Sequence, residues 1–185
     1  MKAWLNPPQD WQETADTLKV TTLPDTDFWQ VTHYGFQRDS GHALLETVSG
    51  DFDYTLTFRG NYTDLYDQAG LMLRIDESLW LKAGIEYLEG VHQLSVVVTR
   101  EYSDWSVSPL SGPLEFTTLK LSRRKEAITI EGSVNGQPLA LMRLLYFPET
   151  TAVQVGPMCC SPTGKGFEVE FSGMKLEKVS EIPAE

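Results

Sequence analysis

Phe52-Asp53-Tyr54-Thr55-Leu56-Thr57-Phe58-Arg59 decides the fold. Phe52, Tyr54, Leu56 and Phe58 alternate with Asp53, Thr55, Thr57 and Arg59, a period of two that gives an extended strand one apolar and one polar face. The same period recurs on either side of this stretch. Ala69, Leu71, Leu73 and Ile75 alternate with Gln68, Gly70, Met72 and Arg74. Leu81, Ala83, Ile85 and Tyr87 alternate with Lys82, Gly84 and Glu86, and Phe167, Val169 and Phe171 with Glu168 and Glu170. Turn chemistry separates the runs: Glu89-Gly90, Arg123 to Glu126, Asn135-Gly136 and the loop Ser161 to Gly166. Pro138 restricts the segment after it to a strand start or an edge. About ten strands at spacings of roughly 8–12 residues predict a β-sandwich or barrel. A short helix over Asp10–Leu18, with Trp11, Ala15 and Leu18 on its face, is the one helical expectation. Residues 1–185 are read as one domain, with 179–185 a frayed tail.

The composition fits an ordinary globular domain. Of 185 residues, 41% are hydrophobic and 22% charged, and 26 Asp and Glu against 15 Lys and Arg give a formal net charge of -11. At this length roughly 70% of the unfolded chain's surface is buried on folding, so the core needs no disulfide. The negative charge disfavours nucleic acid and anionic membrane surfaces as partners. Cys159 and Cys160, the two cysteines, are adjacent, point to opposite faces of a strand and are expected as reduced, packed thiols. The start at Met1 has no apolar run of signal-peptide type, and no stretch approaches a membrane span; cytoplasm is the expected location.

Several further motifs suggest a family. Asp27-Phe28-Trp29, Tyr62 to Arg74, and Trp80 to Tyr87 form one set; Ser95 to Arg100 with Ser103-Asp104-Trp105-Ser106 form a second; Arg143 and the segment Gly156 to Pro162 complete it. Together they resemble a domain-of-unknown-function family of "regulation of enolase"-like proteins. The resemblance spans residues 11 to 171 and implies a concanavalin-A-like lectin/glucanase fold. The expected fold is therefore all-β, a two-sheet antiparallel jelly-roll sandwich. The resemblance implies no assigned reaction, and its name hints at influence on a metabolic enzyme.

The residues opposite the core rows are the candidates for function. Gln68, Met72 and Arg74 face away from the Ala69–Ile75 row, and Trp80, Lys82 and Glu86 from the Leu81–Tyr87 row, so an antiparallel pairing of these strands puts both sets on one face. Lys82 and Glu86 lie two pleats apart, about 13 Å, which leaves room for a polar object between them. Arg143 and Trp105, the latter read as lying in a Ser-Asp-Trp-Ser loop, are expected to edge the same face. The expected ligand-binding set is Gln68, Met72, Lys82, Glu86, Trp105 and Arg143, on a polar concave face suited to a carbohydrate or small polyol. The bland alternative is a wet sheet face with weak cross-strand ion pairs.

Sharper chemistries lack their residues. Glycoside hydrolysis needs two carboxylates about 5–10 Å apart, and Glu86 stands alone on its strand face, with Glu46, Asp67, Asp104 and Glu168 as conceivable partners from elsewhere. His33, His42 and His92 are isolated, and Asp25-Thr26-Asp27 and Asp51-Phe52-Asp53 read as turns or caps, so neither a metal nor a cofactor is expected. Three functions remain in order: a carbohydrate-binding module, a protein–protein adaptor, and a sugar-acting enzyme with Glu86 as acid or base. Exposed edge strands leave a homodimer open.

Overall fold

Among the described residues, sixteen strands and no helix carry the chain. The structure is a computed structural model that describes residues 1–149 and 152–179. In chain order the strands are β1 (Lys2–Leu5), β2 (Asp10–Glu13), β3 (Thr17–Thr21), β4 (Phe28–Gln30), β5 (Gln37–Asp39), β6 (His42–Val48), β7 (Phe52–Gly60) and β8 (Gln68–Arg74). They continue as β9 (Leu79–Leu88), β10 (Val91–Arg100), β11 (Tyr102–Pro109), β12 (Thr117–Arg124), β13 (Ala127–Val134), β14 (Ala140–Tyr146), β15 (Val153–Cys160) and β16 (Glu168–Lys178). Two seven-stranded antiparallel sheets result, one ordered β1-β6-β15-β8-β9-β10-β11 and the other β14-β13-β12-β7-β16-β3-β2. This is the all-β sandwich that the period-two runs predict, in the jelly-roll form that the family resemblance implies.

The main core lies between the sheets. Phe52, Tyr54, Leu56 and Phe58 of β7 and Leu119 and Leu121 of β12 meet Leu71 and Leu73 of β8 and Leu81, Ala83 and Ile85 of β9. Asn135-Gly136 and Glu89-Gly90 turn their hairpins with both residues at positive φ, as tight two-residue turns require. Cys159 joins this core, while its neighbour Cys160 faces the other way, and burial pushes both thiols well above the usual range.

A second apolar layer covers the other face of the first sheet. Strands β4 and β5 form a two-stranded ribbon laid across it. Phe28 and Trp29 of the ribbon pack there with Met72, Trp80, Val97, Met158 and Cys160. Strand β8 is therefore buried along its whole length. The expectation of an open polar sheet face is corrected: most of that face is a second core, and the polar groups occupy one end of it.

The segment Asp10–Leu18 is not a helix. It folds as the hairpin β2–β3, because Leu18 and Val20 bury on one side of β3 while Lys19 and Thr21 face out. Thr14 holds the turn, its Oγ1 accepting the Thr17 N–H at 3.0 Å. In the expected tail, Val179 donates its N–H to the Asp51 carbonyl (3.0 Å), and 180–185 lie outside the described residues.

Gly70 and Gly84 pair across β8 and β9. A Cβ at Gly84 would lie 2.0 Å from the Ala69 carbonyl oxygen, and one at Gly70 2.0 Å from that of Ala83. Both obstacles are backbone, which cannot swing aside. Gly84→Ala is expected to lower unfolding free energy by about 2–3 kcal/mol in urea denaturation; a change under about 0.5 kcal/mol would contradict this close approach.

Candidate functional site

Pairing register assembles the site. Gln68 lies opposite Glu86 and Met72 opposite Lys82; Ser95 then lies opposite Gly84 and Val97 opposite Lys82, and Trp105 opposite Val97. Gly84, between Lys82 and Glu86, lets β8 and β9 approach closely there. The ribbon supplies Trp29, Tyr34, Phe36 and Arg38 as one wall, and Asp25, Asp27, Tyr66, Pro162 and Thr163 close the rest. The enclosed volume is about 270 Å³.

Lys82 anchors the ribbon. Its Nζ donates to the Phe28 carbonyl at 2.7 Å and to Asp27 Oδ1 at 3.2 Å, and the residue is 4% exposed. Asp27 Oδ1 also accepts the Phe28 N–H at 2.7 Å. Burial pushes the Lys82 pKa down, but the Asp27 carboxylate and other nearby acids outweigh it and the net shift is upward. The ammonium stays charged.

Glu86, 6% exposed, is handled differently. Ser95 Oγ and Trp105 Nε1 both donate to its Oε2, at 2.8 and 2.9 Å. Among the described residues, no hydrogen bond falls on Oε1 and no ion pair forms with Glu86. Burial raises its pKa, and the opposing pull of Lys82, Ser95 and Trp105 does not cancel the rise. The sequence left burial and the neighbouring cation in competition; burial prevails.

Aromatic rings frame these groups. Trp29 meets Trp105 at 6.3 Å and 89°, and Tyr34 at 5.6 Å and 69°. The Tyr34 and Tyr66 hydroxyls approach to 3.4 Å and join the ribbon turn to the facing loop. That hydrogen bond, with burial and the charges of Glu86 and Glu89, pushes Tyr66 up to about 12. Gln68 donates from Nε2 to the Tyr66 carbonyl at 3.1 Å.

Four of the six expected residues converge: Gln68, Lys82, Glu86 and Trp105. Trp105 lies on strand β11, not in a loop. Met72 is a correction, for the ribbon buries it beneath Phe28 and Trp29 in the second core. Arg143 is another. Its strand β14 edges the second sheet rather than the sheet that carries the pocket, and the Arg143 guanidinium bonds Ser106 Oγ at 2.9 Å, outside the pocket. Arg74 is taken by Asp39 through two bonds of 2.7 and 2.8 Å, and the Trp80 indole donates to the Glu77 carbonyl.

None of the four conceivable second carboxylates lines the pocket. Asp67 is buried elsewhere, accepting from Ser161 Oγ at 2.6 Å and from the Thr63 and Asp64 N–H groups. Asp25 and Asp27 are the acids that line it beside Glu86. Sequence reasoning misses Asp27, Trp29, Tyr34 and Tyr66 as site residues; for the first two the signal is Asp27-Phe28-Trp29, a motif without an alternating pattern to orient it. Among the described residues, no group of three His, Cys, Asp or Glu is placed to hold a metal ion.

Two stability measurements test this electrostatic reading. The raised Glu86 pKa means the folded state holds the proton more tightly than the unfolded chain. That contribution is complete below the usual glutamate range and is lost as pH rises through the raised value. Glu86→Gln removes the loss, so the stability of the variant relative to the parent should climb as pH rises above the usual glutamate range; a flat difference would contradict the shift. Lys82→Met strands Asp27 and the Phe28 carbonyl and should cost about 3 kcal/mol. Adding Asp27→Leu should recover part of that loss in the same urea titration. Lys82 variants are consequently poor probes of binding alone.

Comparison with known proteins places the chain. Residues 4–179 match a family model described as protein of unknown function (DUF1349). "Regulation of enolase protein 1" of Saccharomyces cerevisiae is 40% identical over 173 residues, covering 94% of this chain and 87% of that protein. An uncharacterized protein of Emericella nidulans is 27% identical, covering 85% and 84%. A solved structure described as a functionally unknown protein from Saccharomyces cerevisiae superposes with a TM-score of 0.93 at 39% identity, covering 97% of both chains. At the level of fold alone, the chain is similar to a GH43 protein from Bacillus licheniformis (TM-score 0.73, 15% identity, 94% of this chain and 36% of that one). It is likewise similar to the carbohydrate-binding module CBM66 from Bacillus subtilis (0.58, 14%, 96% and 97%). The chain belongs to the DUF1349 family of proteins of unknown function.

Proposed function

We propose that the pocket between the ribbon and strands β8–β11 binds a small polyhydroxylated ligand of about one sugar unit. The observation that carries this reading is a cavity of about 270 Å³ in which aromatic rings surround polar side chains that retain free bonding capacity. Glu86 Oε1 and Gln68 Oε1 accept no hydrogen bond from the described residues, and Lys82 has one N–H beyond those given to Asp27 and Phe28. Hydroxyls of a sugar ring both donate and accept, and its C–H faces suit the Trp and Tyr rings. The carbohydrate-binding module among the fold neighbours supports the same ligand class.

The yeast relative's name supports a role in regulating another protein, and a ligand pocket is compatible with such a regulator. The enzyme reading has less support, because Lys82 is committed to Asp27 and the Phe28 carbonyl.

Trp29 and Trp105 line the pocket, so ligand entry should perturb tryptophan emission. Titration with D-glucose, D-galactose, D-xylose, D-mannose and D-fructose should give a saturable change with at least one sugar. Trp105→Phe, which deletes the indole N–H from Glu86, should weaken that binding at least fivefold. No saturable change with any of them would overturn the sugar assignment.

A further inference from the structure

Glu86 is a buried carboxylate that makes no ion pair among the described residues. Ser95 and Trp105 are neutral donors, and both act on Oε2. Lys82, on the same strand, makes its ion pair with Asp27. Arg38, the other cation lining the pocket, is exposed, and its guanidinium lies 5.6 Å from the Phe36 ring centroid. Asp27 and Lys82 cancel, so ionised Glu86 leaves the floor with one uncompensated negative charge. Burial of an unpaired charge is costly.

The surroundings of that charge are specific. Trp29 meets Trp105 at 89° and Tyr34 at 69°, and Tyr66 adds a further ring. Rings set edge to face beside a carboxylate are an arrangement that attracts an organic cation, through ring faces and through direct charge pairing. A sugar hydroxyl would supply a hydrogen bond to Oε1 but would leave the charge uncompensated. A protonated amine supplies both.

We propose that Glu86 Oε1 is the receptor for an ammonium group on the ligand, so that the pocket selects an amino sugar over the corresponding neutral sugar. This rests on the reading of the pocket as a small-ligand site and names the group that ligand must carry. Ser95 and Trp105 hold Oε2, so Oε1 is the oxygen of this pocket-lining carboxylate left for the ligand, and the ring walls stand beside the cation.

Calorimetric titration of the full chain at neutral pH tests this, with D-glucosamine and D-galactosamine set against D-glucose and D-galactose, and with choline as a cation that is not a sugar. At least one amino sugar should bind tenfold or more tightly than its parent. Glu86→Gln should reduce that ratio below threefold, and Glu86→Asp, which keeps the charge, should retain part of it. If neutral sugars bind and their amino forms bind no tighter, the ammonium receptor is wrong while the sugar pocket stands. If choline binds and no sugar does, the receptor stands and the sugar reading falls. If nothing binds, both fall.

Discussion

Everything distinctive about the site depends on one buried ammonium. Lys82 projects from the first sheet and is held by the Phe28 carbonyl and Asp27 Oδ1, which fixes the start of the β4–β5 ribbon on that sheet. Phe28 and Trp29 then seal the second apolar layer, and the bidentate pair of Arg74 with Asp39 fixes the second ribbon strand at the same end, opposite Phe28. An ion pair of this kind is weak evidence for stability in itself, because desolvation offsets most of the attraction. Its effect is positional: it determines where an apolar flap lands and hence that a cavity exists beside it.

The two carboxylates flanking this ammonium have different fates for a physical reason. Asp27 has a cation at 3.2 Å and a backbone N–H at 2.7 Å. Glu86 has only neutral donors on one oxygen, and its pKa rises. Perturbed acids with spare bonding capacity gather at functional sites more often than at structural ones. A structural acid such as Asp67 shows the contrast, with its oxygens taken by Ser161, Thr63 and Asp64.

The fold is legible in the sequence because its strongest signal, the period of two, is local. Alternation in Phe52–Phe58 and Leu81–Tyr87 is enough to assign strands, faces and the shared face of Gln68, Lys82 and Glu86. Local patterns do not say what covers a face. Met72 is buried because the ribbon, some forty residues earlier in the chain, lies over it, and nothing near Met72 records this. Arg143 misses the expected face because its strand β14 edges the other sheet, a placement that no local pattern records; a bulge in the same strand leaves Leu141 and Leu144 each 65% exposed. Leu18 suits a helix on local grounds because Trp11, Ala15 and Leu18 recur at i, i+4 and i+7, and the strand partner Phe171 that decides the matter lies far along the chain.

The two adjacent thiols report on different layers of the molecule. Cys160 sits under the ribbon with its Sγ 4.0 Å from Asp27 Oδ1, whereas Cys159 lies between the sheets. Lifting the ribbon bares one thiol and leaves the other sealed until the sheets part. Neighbouring positions thus carry a natural pair of clocks, one timing the opening of a flap and the other the dissolution of the whole fold.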